Sequence, residues 1–269
     1  MPDDLSRANS TNLPKPRLQA LSRAMRDVAR DAGLLVEQMK ATGIEVFEKS
    51  DGSVVTSADR ASEVLIRERL ETVMEEFKDI LPADTGFVGE ESVEAGNVPD
   101  TSSGNFFITD PIDGTKNFVE GKRGVNWYTV NIALVLDGEP VLGVVHEPVN
   151  GDDFANTDME TPVLSLAGGP DIILRPGLET APDGSDLPQY KTGCMSYVDV
   201  IRGVKGDYRH RLSYEWDTAA QDAILRTLGG GFYVEETGER LRNNKAADKF
   251  FNPSVIGTMK PEGPGPKAQ

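Results

Sequence analysis

One cysteine, Cys194, is all the thiol chemistry available to this chain of 269 residues. An intrachain disulfide is therefore impossible and a cysteine-based zinc cluster is excluded, which makes a reducing cytoplasm the natural compartment. Histidine is nearly as scarce: His146 and His210 are too few and too isolated for a Ser-His triad or a histidine zinc site. No apolar run approaches the ~20 residues that a bilayer crossing needs, and no basic-then-apolar stretch resembles a signal peptide. Positive charge is also short, with 28 Lys and Arg against 44 Asp and Glu, a net charge of −16. A surface of that sign repels nucleic-acid polymers and anionic membranes. It still admits a small anionic substrate, provided cations are held locally to receive it.

What the chain does have is patterned apolar sequence. Leu18, Leu21, Met25, Val28, Ala32, Leu35 and Met39 recur at three-and-four spacing, which predicts an amphipathic helix. A second helix is expected from about Ala58, capped by Thr56 or Ser57, after a hairpin turn at Asp51-Gly52. Beyond residue 80 strands dominate: "NFFITD" (105–110), then "WYTVNIALVL" (127–136) and "PVLGVVHEP" (140–148) around the hairpin signal Asp137-Gly138. Residues 150–192 read as loops with one or two short strands. "WDTAAQDAILRTLGGG" (216–231) reads as a helix, and "GFYVEE" and "FFNPSVIG" as strands. Polar, proline-bearing ends at 1–17 and 260–269 read as flexible tails. Between them, residues 18–150 are expected to form an N-terminal α+β subdomain and 151–259 a C-terminal α/β subdomain.

Three acidic groups share one context, an apolar strand or helix abutting a turn. They are Glu90-Glu91 in "FVGEES", Asp110 with Asp113 in "DPIDGT", and Asp217 in "EWDTAA". Taken singly they are a solvated turn, an ordinary Asp-Pro and Asp-Gly turn, and a helix cap. Together they suit a hard divalent cation, because oxygen donors without nitrogen or sulfur favour Mg²⁺. In "DPIDGT", Pro111 fixes one φ angle, so Asp110 and Asp113 can turn toward a common centre. The Ile112 carbonyl is then a neutral oxygen ligand, Gly114 lets the backbone approach closely, and Thr115 adds a hydroxyl. Free N–H groups at Gly114 and Thr115 would face a phosphate if a helical turn starts there.

In order, Asp59 in "VVTSAD", Glu90-Glu91, Asp110 to Thr115 and Trp216-Asp217 resemble the signature of the lithium-sensitive, magnesium-dependent phosphatases of the inositol monophosphatase superfamily. The resemblance runs from about residue 20 to 150 and again from about 203 to 257. It implies a layered αβαβα sandwich of the inositol monophosphatase/fructose-1,6-bisphosphatase type, with two mixed-sheet subdomains, often as a homodimer. It also implies two or three Mg²⁺ ions. Glu90, Asp110 and the Ile112 carbonyl would hold one, and Asp110, Asp113 and Asp217 a second. Asp59 and Thr115 would position or deprotonate the attacking water, with Glu91 supporting them. Gly114 and Thr115 would contact the scissile phosphate.

Within the superfamily, "FVGEESVEAG" looks like inositol monophosphatase. "DGTKNF", "YTVNIALVLDGEPVLGVV", "EWDTAA" and "FFNP" look more like the 3'(2'),5'-bisphosphate nucleotidases of the CysQ type. The cations Arg202, Lys205, Arg209 and Arg211, ahead of Asp217, and Lys116, beside the phosphate turn, suit a substrate that retains a second phosphate. Arg209 and Arg211 are accordingly candidate substrate contacts. The chain departs from that branch in "TGCMSY" (192–197), where Ser196 stands at an expected lysine, and in a short segment between Pro148 and Glu215. The expectation is a phosphomonoesterase acting on adenosine 3',5'-bisphosphate. The alternatives are an inositol or sugar phosphatase, and a non-catalytic protein that binds phosphorylated ligands.

Overall fold

The computed structural model describes residues 13–49, 52–120, 127–188 and 195–264. The first helix, α1 (Lys15–Thr42), buries Leu18, Leu21, Met25, Ala32 and Val36 along one stripe. It begins ahead of Leu18, inside the stretch read as a tail, with Pro16 in its first turn. There a missing N–H breaks no intrahelical bond. Strands β1 (Val46–Glu48) and β2 (Val54–Thr56) pair antiparallel. Asp51, expected in the turn between them, lies outside the described residues. Thr56 caps α2 (Ser57–Glu76): its hydroxyl accepts from the Ala58 and Asp59 amides, and Asp59 accepts the Thr56 N–H at 2.7 Å in return.

The chain continues through β3 (Gly86–Gly89), a short α3 (Glu90–Glu94), β4 (Phe106–Asp113) and α4 (Thr115–Glu120). Next come β5 (Thr129–Leu136) and β6 (Glu139–Glu147), joined where Asp137 and Gly138 take φ of 53° and 74°. The sheet runs on across residue 150 into β7 (Asp152–Asn156), β8 (Pro162–Ser165) and β9 (Ile172–Ile173). Three strands therefore stand where one or two were expected among loops. The first of them, "DDFAN", hides in sequence because its buried acids carry no apolar signal. Asp153 is paired to His146 at 2.7 Å, and Asp152 accepts the Ala167 N–H at 2.9 Å.

These seven strands lie in the order β3-β4-β5-β6-β7-β8-β9, with β3 and β4 parallel and the other neighbours antiparallel. Helix α5 (Ser196–Ile201), strand β10 (Asp207–His210), helix α6 (Glu215–Thr227), strand β11 (Gly231–Val234), a 3-10 turn (Ala246–Asp248) and strand β12 (Val255–Thr258) follow. A second, antiparallel sheet runs β10-β12-β11.

Alternation along the strands sorts the two cores. Phe107, Ile132, Leu134 and Val144 face α1 and α2, whereas Phe106, Ile108, Ala133 and Val145 meet Trp216, Ala220 and Ile224 of α6 and Phe232 of β11. The layers are therefore helices, large sheet, helix and small sheet, with α5 against β10, β12 and α6. This is the expected α/β sandwich. It brings the ends of β3 and β4 and the first turn of α6 to one edge of the large sheet.

Candidate active site

A bulge in β4 shapes the centre. Asp110 pairs with Asn131 and Asp113 with Thr129, so β4 uses one residue more than β5 across Pro111-Ile112. The extra residue turns both carboxylates the same way, and Asn131 donates to Asp113 Oδ2 at 3.2 Å. Gly114 follows with φ of 97°, in the left-handed region that glycine enters most readily, and its carbonyl accepts from the Asn117 and Phe118 amides to start α4. Across the cleft, Asp217 in the first turn of α6 accepts the Tyr214 N–H at 2.6 Å. The cap role and the site role thus belong to one residue.

Asp110, Asp113 and Asp217 each offer an oxygen within 4.8 Å of the other two, and Glu90, Glu91 and Glu94 do likewise. The two groups adjoin: the charges of Glu90 and Asp217 both act on Asp110, and that of Asp217 acts on Glu90 as well. Burial, then like charge, pushes Glu90 and Asp110 well above the usual carboxylate range. Burial raises Asp113 to about 6 against the Asn131 bond. Burial and Asp113 raise Asp217 to about 8, and burial raises Glu91 to about 7 despite Lys49.

Lys49 is the feature that sequence reasoning missed. Its ammonium lies 3.4 Å from Glu90 Oε1 and 3.2 Å from Glu91 Oε1, with a closer contact to Glu94. Burial opposes its charge, but the three carboxylates outweigh burial and hold its pKa above the ordinary value. One side-chain cation therefore already sits against Glu90, Glu91 and Glu94. Among the described residues, no ion pair reaches the Asp110, Asp113 and Asp217 group. An all-oxygen donor set, strongly self-repelling and partly neutralised by a lysine, fits a hard divalent cation.

Beside this centre, the Thr115 hydroxyl lies 2.9 Å from both Asp59 Oδ1 and the Ile112 carbonyl. Asp59 is buried, which raises its pKa. Its other oxygen accepts from the Thr56 N–H at 2.7 Å and the Thr56 hydroxyl at 2.5 Å. Both carboxylate oxygens are therefore pinned, and Thr115 bridges "VVTSAD" to "DPIDGT".

A cleft of about 590 Å³ opens next to Glu91 and Glu94, lined also by Lys49, Arg60, Tyr214 and Lys249. Tyr214 stacks on Trp216, with ring centroids 4.6 Å apart. The cations expected to meet substrate are placed elsewhere. Lys116 is exposed and 3.8 Å from Glu120, Arg209 on β10 is 3.5 Å from Glu235, and Arg211 is exposed. None of them lines the cleft. Ser196 opens α5, while Thr192 to Cys194 lie outside the described residues. His146 belongs to an ion network with Asp153, Arg26 and Arg30 in α1, apart from the carboxylates. No described helix is long and apolar enough to cross a membrane.

Residues 17–161 match the model of the inositol monophosphatase family. The chain is 40% identical over 124 residues to the 3'(2'),5'-bisphosphate nucleotidase CysQ of Salmonella typhimurium, a match covering 45% of this chain and 46% of that protein. It thus spans just under half the length of that relative. It is 33% identical over 216 residues to the histidinol-phosphatase of Mycobacterium tuberculosis, covering 71% of this chain and 77% of that protein. The crystal structure of CysQ from Bacteroides thetaiotaomicron shares the fold, with a TM-score of 0.65 at 23% identity over 89% of this chain and 97% of that one. With its acidic edge and layered sheets in view, the chain belongs to the inositol monophosphatase family.

Proposed function

We propose that this chain is a Mg²⁺-dependent phosphomonoesterase that removes the 3'-phosphate of adenosine 3',5'-bisphosphate. The observation that carries this is the meeting of Glu90, Asp110, Asp113 and Asp217 beside the Thr115–Asp59 pair. Glu90, Asp110 and the Ile112 carbonyl would hold one ion, and Asp110, Asp113 and Asp217 a second. When bound, Mg²⁺ supplies a lowered water pKa and neutralises charge on the transferring phosphoryl group.

The chain's own groups handle the proton. Thr115 donates its hydroxyl hydrogen to Asp59 Oδ1, which leaves an oxygen lone pair to accept a hydrogen from the attacking water. As the water attacks phosphorus and the P–O3' bond breaks, the water's proton passes to Thr115 and the threonine proton to Asp59, whose burial favours the neutral acid, while the departing 3'-oxygen takes a proton from solvent. Glu91 supports this group from α3, and the Gly114 and Thr115 amides contact the phosphate. Asp59 and Thr115 also argue for turnover over mere ligand binding, which has no use for a proton relay.

The adenosine bisphosphate reading draws on the CysQ relatives and on the cleft. Arg60 and Lys249 line it, and among the described residues neither forms an ion pair, although the Arg60 guanidinium lies over the Phe47 ring, 4.7 Å from its centroid. A second reading, a phosphate ester of an amino alcohol, draws on the long match to the histidinol-phosphatase. Phosphate release with Mg²⁺ from adenosine 3',5'-bisphosphate, inositol 1-phosphate, fructose 1,6-bisphosphate and histidinol phosphate tests both. Preference for the first substrate supports the main reading, and release from none of them removes it.

A further inference from the structure

Glu63 has no part in the chemistry above, yet its buried carboxylate touches the site's framework directly. Its Oε2 accepts the Glu91 N–H at 2.7 Å, and its Oε1 accepts the Ser92 N–H at 3.1 Å and, in a closer contact, the Ser92 hydroxyl. These are amides of the first turn of α3, which no helical carbonyl can satisfy. The N-cap of α3 is Gly89, which has no side chain to cap with, so Glu63 supplies the acceptor from another helix.

Gly89 is also what admits it. A Cβ at position 89 would lie 2.3 to 2.6 Å from the Glu63 carboxylate atoms. Any residue but glycine would drive the carboxylate off the α3 amides. Arg67 holds the same group from outside, 3.7 Å from Glu63 Oε1 and donating to the Ser92 hydroxyl at 2.8 Å. Glu63 stands four residues after Asp59, and so on the same face of α2. One helix therefore carries both the acid that pairs with Thr115 and the clamp that holds Glu90-Glu91.

We infer that Glu63, admitted by Gly89, is a positioning residue that fixes the Glu90-Glu91 pair against Asp110 and thereby sets the protein's affinity for divalent cations. The inference rests on the metal-dependent reading of the site but not on the identity of the substrate. It makes Glu63 and Gly89 one device, since each matters only through the other.

The test is Mg²⁺ binding to the full-length protein by titration calorimetry, for Glu63→Gln, Gly89→Ala and the double variant. Each single change is expected to weaken Mg²⁺ binding by about tenfold, the scale of losing an outer partner of a metal ligand. The double variant should be no worse than the weaker single one, because the second change removes a contact already lost. The Mg²⁺ concentration for half-maximal phosphate release should rise in step, with substrate KM at saturating Mg²⁺ changed less than about twofold. Unchanged Mg²⁺ affinity in a folded Glu63→Gln protein overturns the inference, as do losses that multiply in the double variant. Failure of Glu63→Gln to fold also overturns it, since Glu63 is then a general folding element. Weakened Mg²⁺ binding in a protein that releases no phosphate from any ester keeps the clamp and removes the phosphatase reading instead.

Discussion

Asp110 and Asp113 offer oxygens within 4.8 Å of each other although they stand three positions apart on β4. In a regular strand that spacing sends side chains to opposite faces. The bulge at Pro111-Ile112 cancels the mismatch, and what it creates is a pair of carboxylates that cannot both be ionised cheaply without a cation. Asp110→Asn is therefore expected to cost more activity than the ~10–100-fold typical of a metal's outer partners. Circular dichroism should be unchanged and Mg²⁺ binding strongly weakened. A variant with wild-type turnover would remove Asp110 from the site.

The proton relay gives a different signature. Thr115→Val keeps the shape but leaves the water no route to Asp59, so kcat should fall by roughly 10²–10⁴-fold, the usual worth of general-base help. Mg²⁺ affinity should stay near that of the unaltered protein, because the threonine hydroxyl gives its one hydrogen to Asp59 and is not among the groups that would hold the ions. Steady-state kinetics with metal titration separate the two outcomes.

Lys49 lies against Glu90, Glu91 and Glu94, so its ammonium would compete with any metal held there. Lys49→Met removes that ammonium while keeping most of the side chain's length. Calorimetry is expected to show Mg²⁺ binding tightened several-fold, on the order of 1 kcal/mol for a partly exposed charge. Weaker binding would mean that the lysine organises the carboxylates more than it competes for them.

The pH dependence follows from Asp113, Glu91 and Asp217, raised to about 6, about 7 and about 8. A carboxyl raised in the fold binds protons more tightly there than in the unfolded chain. Its contribution to stability is complete below about pH 4 and is lost as pH rises through its folded pKa. The metal-free protein should therefore lose thermal stability between pH 5 and 8, as far as these groups are concerned. Magnesium must displace the same protons, so the rise in Tm produced by a fixed Mg²⁺ concentration should grow over that interval. Calorimetry in two buffers of different ionisation enthalpy should detect proton release on binding near pH 7. A pH-independent Mg²⁺ affinity would contradict the raised values.

If the cleft receives a retained phosphate, Arg60→Ala with Lys249→Ala should lower kcat/KM for adenosine 3',5'-bisphosphate by about tenfold or more, equivalent to one lost charge-assisted contact. The loss for a simple monophosphate ester should be much smaller. Equal losses on both substrates would return attention to Arg209 and Arg211.

Much of this architecture was legible because its signals are local. The stripe in α1, the Thr56 cap and the Asp137-Gly138 turn each depend on neighbours within a few residues, and "DPIDGT" announces its turn in its own residue types. The three strands after residue 150 were obscured, because the acids of β7 are paid for by partners far along the chain: Asp153 meets Arg30 from α1. Lys49 and Glu63 were invisible for the same reason. A lysine before a glycine turn and a glutamate on a polar-looking helix read as solvated until tertiary packing folds them inward. Arg209 shows the converse: clustered basic residues stand out in sequence, but that Arg209 lies 3.5 Å from Glu235 could be seen only in the fold.

Strands β3 and β4 run side by side in the same direction, with Gly89 opposite Thr109. Glu90, just past the end of β3, and Asp110, still within β4, therefore stand level with each other. Sliding β3 along its neighbour by one residue would carry Glu90 more than 3 Å along the strand and turn its side chain to the other face. The alignment of two adjacent strands thus acts as a gauge on the distance between carboxylates. A mutation deep under that edge, touching no acidic residue, could detune cation affinity through misalignment alone.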